Sequence, residues 1–193
     1  MADDPRVEVM SREGWRSWLE ANHDSASGAW AVTMRKGSGK QVVGYDELVE
    51  EALCFGWVDS VGKSLDESRT MLRFSPRKPG SGWSRPNKER VDRLERSARI
   101  GPAGAAVIER AKEDGSWTLL DAVEDLIVPP DLADAFTRHP GSAEQWEAFP
   151  RSPKRAILEW IVQAKRPETR AKRIEEAASK AAMGERANEW KPK

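Results

Sequence analysis

The chain has 193 residues, and its 32 lysines and arginines are balanced by 32 aspartates and glutamates, so its formal net charge is zero. A composition with 33% charged and 38% hydrophobic residues is typical of a globular chain and excludes a polybasic or acidic tail protein. No apolar run approaches the roughly 20 residues that cross a bilayer. The acidic N-terminal segment also lacks the pattern of a secretory signal, so we expect a cytoplasmic protein without membrane insertion.

The charges are distributed unevenly along the chain. Residues 1–62 carry a net charge of −5 and residues 100–150 a net charge of −7, whereas residues 63–99 and 151–193 carry +6 each. Two basic blocks that alternate with acidic ones predict either surfaces that pair within the molecule or a positive cleft.

The first two thirds of the chain mix helical and strand patterns. Apolar residues at helical or two-residue spacing predict a helix at 12–22, a strand at 29–35, a helix at 46–55, and a hairpin of strands at 57–61 and 69–75. The first strand is bounded by a turn at 37–39, and Gly56 ends the second helix. Ser84 or Asn87 can cap a third helix, and Pro102 opens a fourth that ends before Gly115.

Every segment beyond Pro129-Pro130 has a helical pattern with a start signal. The predicted helices lie at 131–139, 142–149, 152–164 and 167–183. Because two consecutive prolines cannot continue a helix, we place a boundary there. The sequence therefore predicts an α+β fold, with a small mixed or antiparallel sheet and flanking helices over 1–128 and a C-terminal helical module over 129–193.

The sequence gives little support for nucleophilic or metal chemistry. The single cysteine, Cys54, lies in an apolar helical register, which predicts a buried and unreactive thiol and excludes an internal disulfide. His23 and His139 have no nucleophile beside them in a motif. Dinucleotide-binding, phosphate-loop, nucleophile-elbow and zinc-protease motifs are absent from the sequence. We expect no metal and no cofactor.

Residues 57–90 concentrate polar and aromatic side chains in a hairpin, a loop and a helix start. Arginines beside the N–H groups of a helix start predict a site for a small carboxylate or phosphate, with tryptophans as its walls. The residues expected to bind the ligand are Trp57, Arg69, Arg73, Arg77, Ser81, Trp83, Ser84, Asn87 and Arg90. The alternative is a structural network in which Asp59 or Asp66 pairs with Arg73 or Arg77 and fastens the loop to the sheet.

Two other functions stay open at this point. An enzyme without a metal would use Asp59 or Asp66 as its catalytic acid or base, provided that burial separates their pKa values. A protein-interaction module would use the basic C-terminal helices, where Arg170 and Arg173 occupy adjacent turns, although these arginines can also complete the anion site. Nucleic-acid binding is disfavoured by the zero net charge and the pI near 6.8.

Five segments carry the pattern of a known family. They are YDELVEEALCFGWVDS (45–60), DESR (66–69), LRFSPRKPGSGWSRPNKERVDRL (72–94), PAGAAVIERAKEDGSW (102–117) and WIVQAKRPETRAKRIEEA (160–177). Together they resemble the YdeI/OmpD-associated family of bacterial and archaeal proteins, also labelled bacteriocin-protection. The resemblance implies a link to an outer-membrane porin and to envelope stress or antimicrobial-peptide resistance, and it implies no particular catalytic mechanism.

The family pattern also picks out individual positions in this sequence. They are Gly56, Trp57, Asp59, Asp66, Arg69, Pro76, Arg77, Ser81, Trp83, Ser84 and Asn87, with Trp160, Ala164, Lys165, Thr169, Arg170, Arg173 and Ile174 near the C-terminus. This set overlaps the candidate anion site, which supports a site in that part of the chain.

Overall fold

The structure is a computed structural model that describes residues 4–35, 37 and 42–189, so part of the predicted turn at 37–39 lies outside the described residues. The chain divides into two compact units, one of residues 1–81 with 86–116 and one of residues 82–85 with 117–193. The predicted α+β class is confirmed. The domain boundary at 128/129 stays a prediction.

The first unit is built on a mixed sheet of four strands within the described residues. The strands are β1 (Arg6–Glu8), β2 (Ala29–Met34), β3 (Trp57–Ser64) and β4 (Arg69–Pro76), in the spatial order β1-β2-β4-β3. β1 runs parallel to β2, and the other neighbours are antiparallel. The predicted hairpin is therefore confirmed, whereas β1 was not predicted. A strand of three residues is too short to show a two-residue period.

The β3 strand contains one irregularity. Asp59 pairs with Phe74 and Gly62 pairs with Leu72, so three residue steps on β3 lie opposite two steps on β4. This is the pattern of a β-bulge, in which one strand accommodates an extra residue.

Helices α1 to α4 follow the predictions closely. They span α1 (Arg12–Asn22), α2 (Tyr45–Cys54), α3 (Arg85–Arg96) and α4 (Pro102–Glu113). In α1, Trp15 stacks on Trp18 with ring centroids 5.3 Å apart and also contacts Phe74 of the sheet. Trp18 meets the edge of Trp57 at 6.0 Å. Aromatic contacts of this kind join α1 to the sheet in the core of the first unit.

A buried carboxylate joins α1 to more distant parts of the first unit. Glu51 of α2 is 0% exposed and accepts hydrogen bonds from Arg12 at 2.5 Å, Arg16 at 2.8 Å and Arg99 at 2.5 Å. Arg12 also reaches Glu50 at 2.9 Å. A buried charge needs this degree of pairing because its desolvation is otherwise costly.

The second unit is helical. Its helices are α5 (Asp121–Glu124), α6 (Pro130–Arg138), α7 (Ser142–Ala148), α8 (Arg151–Val162) and α9 (Pro167–Ala182). The four helices predicted after Pro129-Pro130 are confirmed to within two residues at each end, whereas α5 was not predicted. Their inner faces form one hydrophobic core around Leu132, Trp146, Ile161 and Ile174.

Candidate functional site

A tyrosine and an aspartate form the centre of a polar cluster in the first unit. Tyr45 opens α2, where the N–H of Gly44 donates to the carboxylate of Glu47 at 2.7 Å and fixes the first turn. Asp59 lies on β3, and its Oδ2 accepts a hydrogen bond from the Tyr45 hydroxyl at 2.9 Å. Because Tyr45 is 52% exposed, the pair lies within reach of a ligand.

Arg90 of α3 contacts the ring of the same tyrosine. Its guanidinium carbon lies 5.6 Å from the centroid of the Tyr45 ring, which is a cation–π contact. Nη1 donates to Oδ1 of Asn87 at 2.9 Å, and Nη2 donates to Oδ1 of Asp46 at 2.5 Å. The Nε atom is buried and has no acceptor among the residues that the structure describes.

Arg77, the residue after β4, adds a second positive charge near Asp59. Its N–H donates to the carbonyl of Gly56 at 2.9 Å. Gly56 has a φ of +73°, and a Cβ there would lie 2.7 Å from Val107, so the turn that holds Arg77 requires glycine. Burial lowers the pKa of Arg77 to about 10, while the negative charge of Asp59 acts in the opposite direction. Arg77 therefore stays charged at neutral pH.

The protonation states of the remaining groups follow from their neighbours. Burial and the hydrogen bond to Asp59 raise the pKa of Tyr45 to about 12, so its hydroxyl keeps its proton at neutral pH. The hydrogen bond from Arg90 lowers the pKa of Asp46, which is therefore ionised. We call the six residues that make these contacts the Tyr45 cluster: Tyr45, Asp46, Asp59, Arg77, Asn87 and Arg90.

The structure thus brings together four of the predicted site residues, namely Asp59, Arg77, Asn87 and Arg90. Tyr45 and Asp46 were missed as site residues. The only signal for them was their position at the start of the family segment 45–60, because no local spacing connects the start of α2 with β3.

Asp66 and Arg69 form a separate structure at the hairpin turn. Asp66 Oδ1 accepts hydrogen bonds from the N–H groups of Ser68 and Arg69 at 2.9 and 2.8 Å, and Oδ2 accepts one from Arg69 Nε at 2.7 Å. Arg69 also reaches Glu8 at 2.8 Å. Asp66 lies beyond the end of β3, whereas Asp59 pairs with Phe74 near the start of that strand. Asp66 therefore fixes the turn and lies apart from the Tyr45 cluster.

Replacing Asp66 with asparagine should lower stability in a pH-dependent way. The hydrogen bond from the Arg69 side chain, with those from Ser68, lowers the pKa of Asp66 to about 2. Since an aspartate in the unfolded chain has a pKa of about 3.9, the stabilisation is present above that pH and is lost as the pH falls through about 2.

Thermal unfolding at a series of pH values checks this prediction. The Tm of the wild type should exceed that of Asp66→Asn at neutral pH, and the difference should shrink below a pH of about 4. Glu67→Gln, at the neighbouring exposed position, serves as the control. A Tm difference that does not depend on pH would contradict the prediction.

Three other predicted ligand-binding residues of the first unit have structural partners. Arg73 pairs with Asp4 at 2.7 Å, and with neither of the two aspartates considered from the sequence. Trp57 is 1% exposed, and its Nε1 donates to the carbonyl of His23 at 3.1 Å. The hydroxyl of Ser81 donates to a carbonyl of its own loop at 2.7 Å. Trp57 is a core residue here and offers no open face to a ligand.

Trp83 and Ser84 belong to the second unit. Trp83 is 1% exposed, and its ring centroid lies 4.9 Å from that of Trp117. The residue before it, Gly82, packs so closely that a Cβ there would lie 2.7 Å from Leu120. Ser84 directly precedes α3. In this unit Trp83 serves as a packing residue.

The two arginines selected near the C-terminus hold helices of the second unit together. Arg170 of α9 donates from Nε and Nη2 to both carboxylate oxygens of Asp131, at 2.7 and 2.9 Å. Arg173 donates to the carbonyl of Trp160 and lies 5.0 Å from a ring centroid of the same residue. Bidentate and cation–π contacts of this kind account for both side chains within the unit.

Other kinds of site find no support in the described ranges. No group of three or more histidine, cysteine, aspartate and glutamate residues is placed there to hold a metal ion. No helix among the described residues is long and apolar enough to cross a membrane. Cys54 is buried, and burial raises the pKa of its thiol, so the sulfur stays protonated.

Comparison with known families divides the chain in a similar way. Residues 7–107 match the family described as "Domain of unknown function (DUF8412)". Residues 125–184 match the family described as "Bacteriocin-protection, YdeI or OmpD-Associated". The resemblance is confirmed by this second match, which contains the segment 160–177, whereas the segments 45–60, 66–69 and 72–94 lie within the first match. No curated protein and no solved structure matches the chain.

Proposed function

The chain belongs to the family described as "Domain of unknown function (DUF8412)" and is YdeI-like over residues 125–184, and we propose that it binds a small anion, a carboxylate or a phosphate, at the Tyr45 cluster. Neither family description names a ligand. The proposal depends on the side chains of the first unit, and it offers a biochemical activity for the protective role that the second description suggests.

The buried Nε–H of Arg90 is the observation that carries this proposal. Nε and Nη2 form one edge of a guanidinium, and this edge matches two oxygens of a carboxylate or a phosphate. Asp46 supplies one oxygen to Nη2, whereas Nε has no acceptor among the described residues. A buried donor without an acceptor costs about 1–3 kcal/mol, and a bidentate anion would recover that cost.

A ligand can displace the group that pairs with Arg90. The Asp46 side chain is 72% exposed, and Arg90 is only 12% exposed. An ion pair with so exposed a partner contributes at most about 1 kcal/mol, so an incoming anion replaces Asp46 at small cost. Tyr45 is also half exposed. Asp46 therefore occupies the position that we assign to the ligand.

Binding is better supported than acid–base catalysis by two carboxylates. Asp59 lies near the start of β3, whereas Asp66 lies beyond the end of β3 at the hairpin turn, where Arg69 already pairs with its carboxylate. The Tyr45 hydroxyl, with its pKa raised to about 12, holds its proton and donates to Asp59. Once a ligand displaces Asp46, the guanidinium groups of Arg77 and Arg90 outnumber the one remaining carboxylate, Asp59, which suits recognition of an anion.

The single tyrosine of the chain gives a direct test. Protein labelled with ring-13C tyrosine has one tyrosine spin system, and titration with inorganic phosphate or acetate should shift it in a saturable way. Arg90→Lys keeps the charge and removes the planar edge of donors, so it should weaken binding by about tenfold or more.

Two further variants make the test specific. Arg93→Lys is the control, because Arg93 lies on the same helix, is half exposed and pairs with Glu50 at 3.1 Å. This variant should bind the anion like the wild type. Asp46→Asn removes the competing carboxylate and should bind the anion more tightly. The proposal fails if neither anion produces a saturable shift, or if Arg90→Lys binds as well as the wild type.

A further inference from the structure

A second feature of the first unit is a cavity between α2 and the sheet. Its volume is about 480 Å³, within the range of small-molecule sites. Tyr45 and Leu48 line it from α2, and Gly62, Met71 and Leu72 line it from β3 and β4. Tyr45 therefore borders both the cavity and the cluster described above, while most of the cavity wall is apolar.

One arginine lines this mostly apolar cavity. Arg35, directly after β2, lines it and is exposed. Its Nη2 donates to the hydroxyl of Ser64, and its Nε points to the carbonyl of Arg69 at 3.4 Å. In the described part of the chain, no carboxylate lies within ion-pair distance of Arg35. A cation with neutral partners beside an apolar cavity is complementary to a ligand with one negative group and an apolar body.

We propose that this cavity binds an amphipathic monocarboxylate, with the carboxylate at Arg35 and the apolar chain or ring against Leu48, Met71 and Leu72. This ligand site differs from the anion site at Arg90. The apolar wall contributes affinity through the burial of methylene groups, and the guanidinium selects the charged end.

Gly62 offers a way to fill the cavity without disturbing the fold. A Cβ at Gly62 would lie 3.9 Å from Leu72 Cδ1 and 4.0 Å from the carbonyl of Met71, which are ordinary contact distances. Gly62→Leu therefore places a side chain in the cavity within a strand that accepts it. Val61→Leu is the matched control, because Val61 is the adjacent residue of β3, is 44% exposed and does not line the cavity.

The probes are acetate, butanoate, hexanoate and octanoate, with 1-octanol as the uncharged analogue. Calorimetry and the Tyr45 signal should both show affinity rising about three- to fourfold for each added methylene group until the cavity is full. Gly62→Leu should abolish the gain with chain length, whereas Val61→Leu should keep it. Arg35→Gln, like the replacement of octanoate by 1-octanol, should weaken binding about tenfold or more.

The same variants distinguish this inference from the proposed function. Arg90→Lys should leave octanoate binding unchanged, and Gly62→Leu should leave phosphate binding unchanged. The inference is overturned if octanoate binds no more tightly than acetate, or if Gly62→Leu or Arg35→Gln binds octanoate like the wild type. Loss of octanoate binding in Arg90→Lys would also overturn it, because the carboxylate would then lie at Arg90.

Discussion

Glu51→Gln should lower the free energy of unfolding by about 3–5 kcal/mol, the usual cost of removing one partner from a buried ion pair. Glu51 is fully buried and accepts from three arginines at 2.5 to 2.8 Å. Glutamine has nearly the same shape as glutamate, so the change in stability reports the removal of the negative charge. Arg12, Arg16 and Arg99 would then face one another around a neutral amide, which can accept from them only through its single oxygen.

Urea unfolding followed by tryptophan fluorescence measures this loss. Glu109→Gln is the control, because Glu109 is 65% exposed and its pair with Lys112 at 3.1 Å is a surface contact within one helix. That variant should change stability by less than about 1 kcal/mol. A loss for Glu51→Gln no larger than the loss for the control would show that the three arginines do not depend on this carboxylate.

Gly104→Ala should also be strongly destabilising, although alanine is the better helix former. Gly104 lies in α4, and a Cβ there would stand 2.4 Å from the carbonyl oxygen of Cys54 and 2.7 Å from that of Leu53. Both atoms belong to the backbone of α2, so α2 and α4 would have to move apart. Overpacking costs about 1–3 kcal/mol and occasionally more, and contacts this short with backbone atoms place the cost at the upper end of that range. The cost therefore exceeds the helix-propensity gain of about 1 kcal/mol.

Gly14→Ala provides the matched comparison in another helix. A Cβ at Gly14 would meet only the hydroxyl of Ser11, at 3.4 Å. The same substitution should therefore raise stability there, by about 0.5–1 kcal/mol. Opposite signs for the two variants, measured by chemical denaturation, are the expected result. If Gly104→Ala were as stable as Gly14→Ala, the close packing of α2 against α4 would be contradicted.

Local signals were sufficient to predict most of the helices and the hairpin. Ser11 accepts from the N–H of Gly14 at 3.0 Å, as expected for the residue that caps α1. Gly56 ends α2 in a left-handed conformation, and Pro102 opens α4. Each of these signals acts within a few residues. β1 lacked such a signal, because its three residues are held by parallel pairing with a strand more than 20 positions away.

The partners of the arginines were harder to predict, because they are distant in sequence. Arg73 pairs with Asp4 and Arg90 pairs with Asp46, across separations of 69 and 44 residues. The amino-acid sequence identifies these side chains as charged but does not show which ones the fold brings together. The same limit applies to Trp57, since a cluster of polar neighbours does not reveal that its ring packs against Trp18.

The extra residue in β3 determines which surfaces share a side of the sheet. Side chains alternate along a regular strand, so residues three apart point in opposite directions. The bulge pairs Asp59 with Phe74 and Gly62 with Leu72, and these two partners lie on one face. Because of the bulge, Asp59 of the proposed anion site and Gly62 of the proposed cavity lie on the same face of the sheet. A chain of the same length without the bulge would pair Val61 with Leu72 and would turn Gly62 to the opposite face.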